Sequence, residues 1–146
     1  MKINIGADHA GFELKEKLKA YLTKNYSVYD LGNLIYDKND DYPKYASKVA
    51  KAVAKNKNSF GILICGSGQG VCIAANKIKG IRAALAENIR DAKLSRKDDD
   101  ANILCLQGRV LNFHNAKNII NGFLKAKFSN ANKYKRRINQ IKRLEK

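Results

Sequence analysis

The alternation of short apolar runs with amphipathic segments predicts an α/β, Rossmann-like fold of three layers, in which helices cover both faces of a five-stranded parallel sheet and an extra helix ends the chain. Three observations carry this. Five apolar runs are each separated by a helical stretch, as parallel neighbours need because their connections must cross over the sheet. One run, FGILIC at 60–65, is apolar throughout, the mark of a strand covered on both faces. The length, 146 residues, is that of one domain, so residues 1–146 are expected to form a single unit.

Taken in order, KINIG at 2–6 reads as a short buried strand, and FELKEKLKAYL follows as a helix with Phe12, Leu14, Leu18 and Leu22 near helical spacing. SVYDLG at 27–32 reads as the second strand. After the polar YDKNDDYP, a helix fits 43–55: Pro43 is tolerated in its first turn, and Ala46, Val49, Ala50 and Val53 form its apolar stripe. The strand at 60–65 leads into SGQGVCIAANK as a helix. IRAALA at 81–86, a helix near 88–97, the strand ANILCLQG at 101–108 and a helix near 112–126 complete the alternation. In the tail, Tyr134, Ile138, Ile141 and Leu144 recur at spacings of four, three and three, so residues 131–144 can form an amphipathic helix. Its stripe needs an apolar surface, which a second subunit would supply.

The formal charge of +16 suits nucleic acid, a membrane surface or a small anion, since a positive field attracts all three. Within residues 131–146, Lys133, Lys135, Arg136, Arg137, Lys142, Arg143 and Lys146 face the single anion Glu145. The rest of the excess is scattered lysine, which reads as solvated surface. No stretch approaches the roughly 18 apolar residues of a membrane span, and MKINIGADHAG turns polar too early for a signal peptide, so a cytoplasmic protein is expected. Cys65, Cys72 and Cys105 form no short-spaced metal pair, and their odd number speaks against a disulfide framework. Reduced thiols and no bound metal are expected.

Ligands of open parallel sheets bind beyond the carboxyl ends of the strands. Asp8 and His9 follow the first strand there, Cys65 and the turn Gly66-Ser67-Gly68-Gln69-Gly70 follow the third, and Gln107, Gly108 and Arg109 follow the fifth. Backbone N–H groups of the turn and the start of the next helix can stabilise an anion or a developing oxyanion. Beside them Cys65 is either a base or nucleophile, or a buried structural cysteine. Cys72, inside a helix, and Cys105, inside a strand, read as core residues. The glycine turn also resembles half of a dinucleotide fingerprint with Glu87 as the ribose acid, but its third glycine falls one place early and it follows the wrong strand. His9 is a hydrogen-bonded turn residue or a phosphate ligand and proton carrier. His114 reads as exposed, Asp98-Asp99-Asp100 as a solvated helix end or turn, and Arg109 as an ion pair or an anion clamp.

With these segments in place, the chain resembles the ribose-5-phosphate isomerase B family, which also includes allose- and galactose-6-phosphate isomerases. The resemblance rests on IGADHAGFELK at 5–15, DYPKYASKVA at 41–50, GILICGSGQGVCIAANKIKGIRAAL at 61–85, AKLSRKDDDAN at 92–102 and GRV at 108–110. It implies a cofactor-free isomerisation of ribose 5-phosphate and ribulose 5-phosphate through a cis-enediolate. By the resemblance, Cys65 is the base, the Gly66, Gly68, Gln69 and Gly70 region holds the enediolate, and Ser67 assists opening of the sugar ring. Asp8 then binds sugar hydroxyls, and His9 contacts the phosphate with Lys133 and Arg137, Arg109 being a further anion ligand. The resemblance also implies a homodimer or dimer of dimers with active sites built from two subunits, which gives the basic tail a purpose. Two positions depart from the pattern: Asp98 and Asp99 stand where the family commonly has a histidine, implicated in ring opening, and an asparagine. Carboxylates at neutral pH accept protons more readily than they give them, and an ionised Asp99 would repel an enediolate. Lys133 in place of an arginine keeps the charge but loses bidentate geometry. A nucleic-acid-binding protein using the basic tail would also explain the charge, although no recognised binding motif accompanies it.

Overall fold

The computed structural model describes residues 1–145; Lys146, counted in the basic tail, lies outside them. Strands β1 (Lys2–Ala7), β2 (Ser27–Asp30), β3 (Ser59–Cys65), β4 (Ala83–Leu85) and β5 (Ile103–Gln107) form one parallel sheet in the order β2-β1-β3-β5-β4. Helices α1 (Phe12–Leu22), α2 (Tyr42–Lys55), α3 (Gln69–Ala75), α4 (Ile89–Asp99) and α5 (Phe113–Lys125) connect them, and α6 (Asn132–Leu144) follows. The expected three-layer fold is the one found. No helix among the described residues is long and apolar enough to cross a membrane.

The two-residue period of the strands sorts the core into two faces. Ile3, Ile5, Ala7, Ile62, Ile64, Leu104 and Leu106 pack under α1, α4 and α5, where Leu14, Leu18, Leu22, Ile120 and Phe123 are buried. Leu63, Cys65, Ile103 and Cys105 point the other way, against Ala46, Val49, Ala50 and Val53 of α2 and Val71 and Ala75 of α3. Shifting β3 by one residue would exchange these sets, so the burial on both faces fixes the direction in which Cys65 points.

A buried cation ties α1 to the edge strand β2. The Lys15 side chain is fully buried, with Nζ 2.6 Å from Asp30 and 2.7 Å from Glu16, and Lys19 reaches the same Asp30 oxygen at 2.7 Å. Burial pushes the Asp30 carboxyl up, but the two ammonium groups and the Gly32 amide outweigh it and hold it below the usual carboxylate range.

The sheet is shorter at its edges than expected. β2 stops at Asp30, whose carboxylate accepts the Gly32 amide at 3.0 Å and turns the chain. β4 spans three residues where six are expected, because the Asn102 side chain takes the Arg82 amide and the Asn76 side chain takes the Ala83 amide. α3 starts at Gln69, after Gly68, whose φ of 73° no right-handed helix admits. α4 runs on to Asp99 and ends on Asp100, with φ of 48°. The Asp100 carboxylate holds Arg96 at 2.6 Å and Arg82 at 3.0 Å, and the Arg96 guanidinium lies over Phe60, so this helix end is firmly placed.

Helix α6 lies against α4 of its own chain and buries Ile138. Glu145 accepts the Gly80 amide at 2.8 Å. The end of the apolar stripe stays uncovered, with Ile141 at 42% and Leu144 at 79% exposure.

Candidate active site

Strands β1, β3 and β5 are neighbours, so their carboxyl ends meet in space although about a hundred residues separate them in sequence. The Asp8 amide donates to the Ile64 carbonyl at 3.3 Å, the Gly108 amide to Cys65 at 2.8 Å and the Arg109 amide to Gly66 at 3.1 Å. Gly108 permits this closure: a β-carbon there would lie 2.5 Å from the Ala10 carbonyl oxygen. After β1 the chain passes to β2 on one side and then to β3 on the other, so this edge is also a switch point of the sheet.

Asp8 is buried, and its Oδ1 accepts the Ala10 amide at 3.0 Å and the Gly11 amide at 3.2 Å. Burial pushes its carboxyl up, against the opposing pull of the Gly11 amide and of His9. His9 is held by a residue the sequence did not single out. Asp40 Oδ1 accepts the His9 amide at 2.9 Å and lies 2.7 Å from the ring Nδ1, while Asp40 Oδ2 accepts the Asn33 amide at 3.0 Å. Asp8, His9 and Asp40 also form the one group among the described residues whose donor atoms, all within 4.8 Å of one another, could surround a cation. Asp8 Oδ1, both Asp40 oxygens and the ring Nδ1 are already engaged with backbone amides, with the Asn33 side chain and with each other.

The glycine turn is shaped by two side chains. The Arg109 guanidinium covers Gly66, where a β-carbon would lie 2.8 Å from Cζ, and the Tyr42 ring covers Gly70, where one would lie 2.5 Å from the ring. Tyr42 is a second residue missed in the sequence, where it falls in the polar stretch ahead of the helix expected at 43–55; α2 in fact begins on it. Ser67 and Gln69 are exposed at the rim, with Ser67 Oγ accepting the Gln69 amide at 3.3 Å. Cys65 is 3% exposed and packs in the cluster that includes Leu63, Val71 and Cys105, deeper than a thiol at a lip. The turn and α3 fold over it, because its side chain shares the α2 and α3 face with Leu63. Cys105 is fully buried, as expected of a core residue. Cys72 is only half-buried: its thiol donates to the Ala83 carbonyl at 3.3 Å, and the Cys105 thiol beside it lowers its pKa to about 7. His114 is exposed, as expected.

The remaining residues of the expected site are elsewhere in the chain. A helix between parallel strands returns to the edge where the next strand begins, so the end of α4 places Asp98 and Asp99 at the amino edge of the sheet, beside Arg82. The five residues of β5, at about 3.3 Å each, put about 16 Å between the two edges. Burial and Asp98 push the Asp99 carboxyl up, and Arg137 and Arg82 oppose them. Lys133 and Arg137 flank the Tyr134 ring at 4.8 Å and 5.9 Å. Within one chain, therefore, Asp98, Asp99, Lys133 and Arg137 do not join Asp8, His9, Cys65, the turn and Arg109.

An α/β sheet edge that gathers a thiol, a glycine turn, an arginine and an Asp-His pair defines a class of protein that handles small anionic substrates. The chain belongs to the Ribose/Galactose Isomerase family, whose sequence model matches residues 3–141. It is 47% identical over 146 residues to the probable ribose-5-phosphate isomerase B of Mycoplasma genitalium, covering 99% of this chain and 95% of that protein. It is 41% identical over 145 residues to ribose-5-phosphate isomerase B of Escherichia coli, covering 99% and 96%. Among solved structures, ribose-5-phosphate isomerase B of Clostridium thermocellum superposes with a TM-score of 0.95 at 42% identity, covering 99% of this chain and 97% of that one. The Mycoplasma genitalium enzyme with bound ribulose-5-phosphate superposes at 0.94 and 46% identity, covering 99% and 95%.

Proposed function

We propose that this chain is a cofactor-independent aldose–ketose isomerase that interconverts ribose 5-phosphate and ribulose 5-phosphate. The observation that carries the reading is the meeting of Asp8-His9, Cys65 with its glycine turn, and Arg109 at one sheet edge; the relative solved with ribulose-5-phosphate supports the choice of substrate. Cys65 serves as the base that moves a proton between C1 and C2. A base needs one face of the sulfur within hydrogen-bond reach of the proton, so this role requires the glycine turn over the nearly buried Cys65 to admit the substrate to it. The Gly66–Gly70 amides and the Arg109 guanidinium stabilise the enediolate oxygens, which carry the charge that develops in the transition state. Ser67, exposed at the rim, is placed to assist ring opening, Asp8 binds sugar hydroxyls, and His9 meets the phosphate.

Lys133, Arg137, Asp98 and Asp99 enter such a site only from a second copy of the chain, and their position at the opposite edge supports a homodimer or dimer of dimers with shared sites. The uncovered Ile141 and Leu144 of α6 offer that copy an apolar contact. The setting of this reaction is the cytoplasm and the pentose phosphate pathway. Spectrophotometric measurement of ribulose 5-phosphate formation tests the proposal. A positioned general base contributes about a hundredfold to ten-thousandfold, and Cys65→Ala is expected to lose a factor in that range from kcat. Full activity in Cys65→Ala would sink the mechanism. A higher kcat/KM for allose or galactose 6-phosphate than for ribose 5-phosphate would move the substrate to the hexose phosphates.

A further inference from the structure

We propose that Asp40 is a positioning residue of this site: it holds His9 as the Nδ1–H tautomer and leaves Nε2 as the nitrogen that meets the sugar phosphate. The inference rests on the isomerase reading for its substrate, but its geometry stands apart from that reading. One oxygen, Asp40 Oδ1, accepts both the backbone amide of His9, at 2.9 Å, and the ring Nδ1, at 2.7 Å. Two bonds from one residue to one atom fix the position of the His9 backbone and the rotation of its ring together. A carboxylate can only accept, so the ring must carry its proton on Nδ1, and Nε2 is left to accept when the ring is neutral or to donate when it is charged.

Asp40 is itself held in place. Its Oδ2 accepts the Asn33 side-chain amide at 3.0 Å, and the Asn33 backbone amide donates to the Ala7 carbonyl at 2.8 Å. The line of support runs from the end of β1 through Asn33 and Asp40 to His9, so the ring orientation is referred to the sheet. The Asp40 side chain is 3% exposed against 29% for His9, which leaves the pair shielded on the carboxylate side and open on the ring side. Burial pushes the Asp40 carboxyl up, but the His9 amide, the His9 ring and the Asn33 amide outweigh it and hold it below the usual carboxylate range. His9 also lines a cavity of about 570 Å³ with Ala10, Lys17, Gly108, Leu111 and Asn112, which places space for a ligand beside it.

The test pairs a spectroscopic readout with kinetics. Two-bond ¹H–¹⁵N correlation spectra of the full chain report the tautomer of each histidine, and the chain has only two, so His114→Gln assigns His9. The expected result is Nδ1–H for neutral His9 in the natural chain and a shift toward Nε2–H in Asp40→Ala. In the same variant KM for ribose 5-phosphate should rise about tenfold, the worth of roughly one charge-assisted hydrogen bond, with kcat held within about twofold. Asp40→Asn keeps an accepting oxygen without the charge, so it should retain Nδ1–H with an intermediate KM. This variant also carries the test if Asp40→Ala folds poorly. An unchanged tautomer in Asp40→Ala, or a changed tautomer with unchanged KM, overturns the proposal. A natural chain that fails to isomerise any sugar phosphate would instead overturn the reading of the function, and the spectra would still report whether Asp40 sets the ring.

Discussion

Replacing Gly68 by alanine separates two costs that the turn beside Cys65 imposes, provided Gly80→Ala is measured alongside. Both glycines have positive φ, 73° and 83°, which a residue with a β-carbon adopts at a cost of about 1–2 kcal/mol. At Gly80 nothing lies within 4 Å of the added carbon, so that cost is the whole of it. At Gly68 the carbon would lie 2.6 Å from Leu85 Cδ1 and 3.0 Å from the Leu106 carbonyl. The leucine side chain can swing aside, but Leu106 is fixed in the β5 ladder opposite Ile64, and overpacking against it adds about 1–3 kcal/mol. The totals are about 2–5 kcal/mol for Gly68→Ala and about 1–2 kcal/mol for Gly80→Ala. With a urea slope of about 2 kcal/mol per M, the unfolding midpoint should fall by about 1–2.5 M for the first and by about 0.5–1 M for the second. The first should also lose kcat, because the turn must move and take its amides with it, while the second should not. Equal midpoint shifts, or a Gly68→Ala chain with unaltered kcat, would refute the reasoning.

Two further outcomes are expected. The Asp30 carboxyl has its folded pKa held below the ordinary 3.8 by Lys15 and Lys19 against the effect of burial, so its pairing stabilises the fold above that value and the benefit is lost as pH falls through the folded value. Urea midpoints should therefore drop below about pH 4 in the natural chain and less in Asp30→Asn, and parallel profiles would contradict this. If each site takes Cys65 from one copy and Arg137 from another, mixing inactive Cys65→Ala and Arg137→Ala chains through unfolding and refolding should restore roughly a quarter of the activity, since half of random dimers are mixed and each holds one intact site. No recovery in mixtures shown to form mixed dimers would exclude shared sites.

What the sequence revealed and what it hid follow from the range of the interactions involved. The strands and helices are legible because each is a local pattern: the apolar run at 60–65 lies inside β3, and Ala46, Val49, Ala50 and Val53 all bury against the sheet. The carboxyl-edge residues were legible because a parallel sheet sends all such ends the same way. Edge-strand lengths were hidden, because β4 is cut short by side chains from Asn76 and Asn102, outside the strand itself. Asp40 and Tyr42 were hidden for a similar reason. Nothing local distinguishes Asp40 from Asp37 or Asp41, and its partner His9 is 31 positions away. Asp98, Asp99, Lys133 and Arg137 were legible only through resemblance, which names residues but not the edge of the sheet on which each one falls.

The charge at the carboxyl edge supports the proposal that this edge is half of a site. A phosphate monoester brings a charge of about −1.5 to −2 at neutral pH. Around the turn and the His9 loop, the cation that faces the turn is Arg109, Lys17 at the His9 cavity is paired with Glu13, and Asp8 and Asp40 add negative charge beside His9. This edge alone therefore repels a phosphate dianion nearly as much as it attracts it. The amino edge has the opposite balance through α6: Arg82 is paired with Asp100, and Asp99 sits between Asp98 and Arg137, but Lys133, Lys135, Arg136, Arg137, Lys142 and Arg143 of α6 have no acid among them within the helix. In the proposed shared site, α6 of one copy would bring these cations to the carboxyl edge of another, so the substrate's phosphate and the pairing of chains would answer the same electrostatic demand.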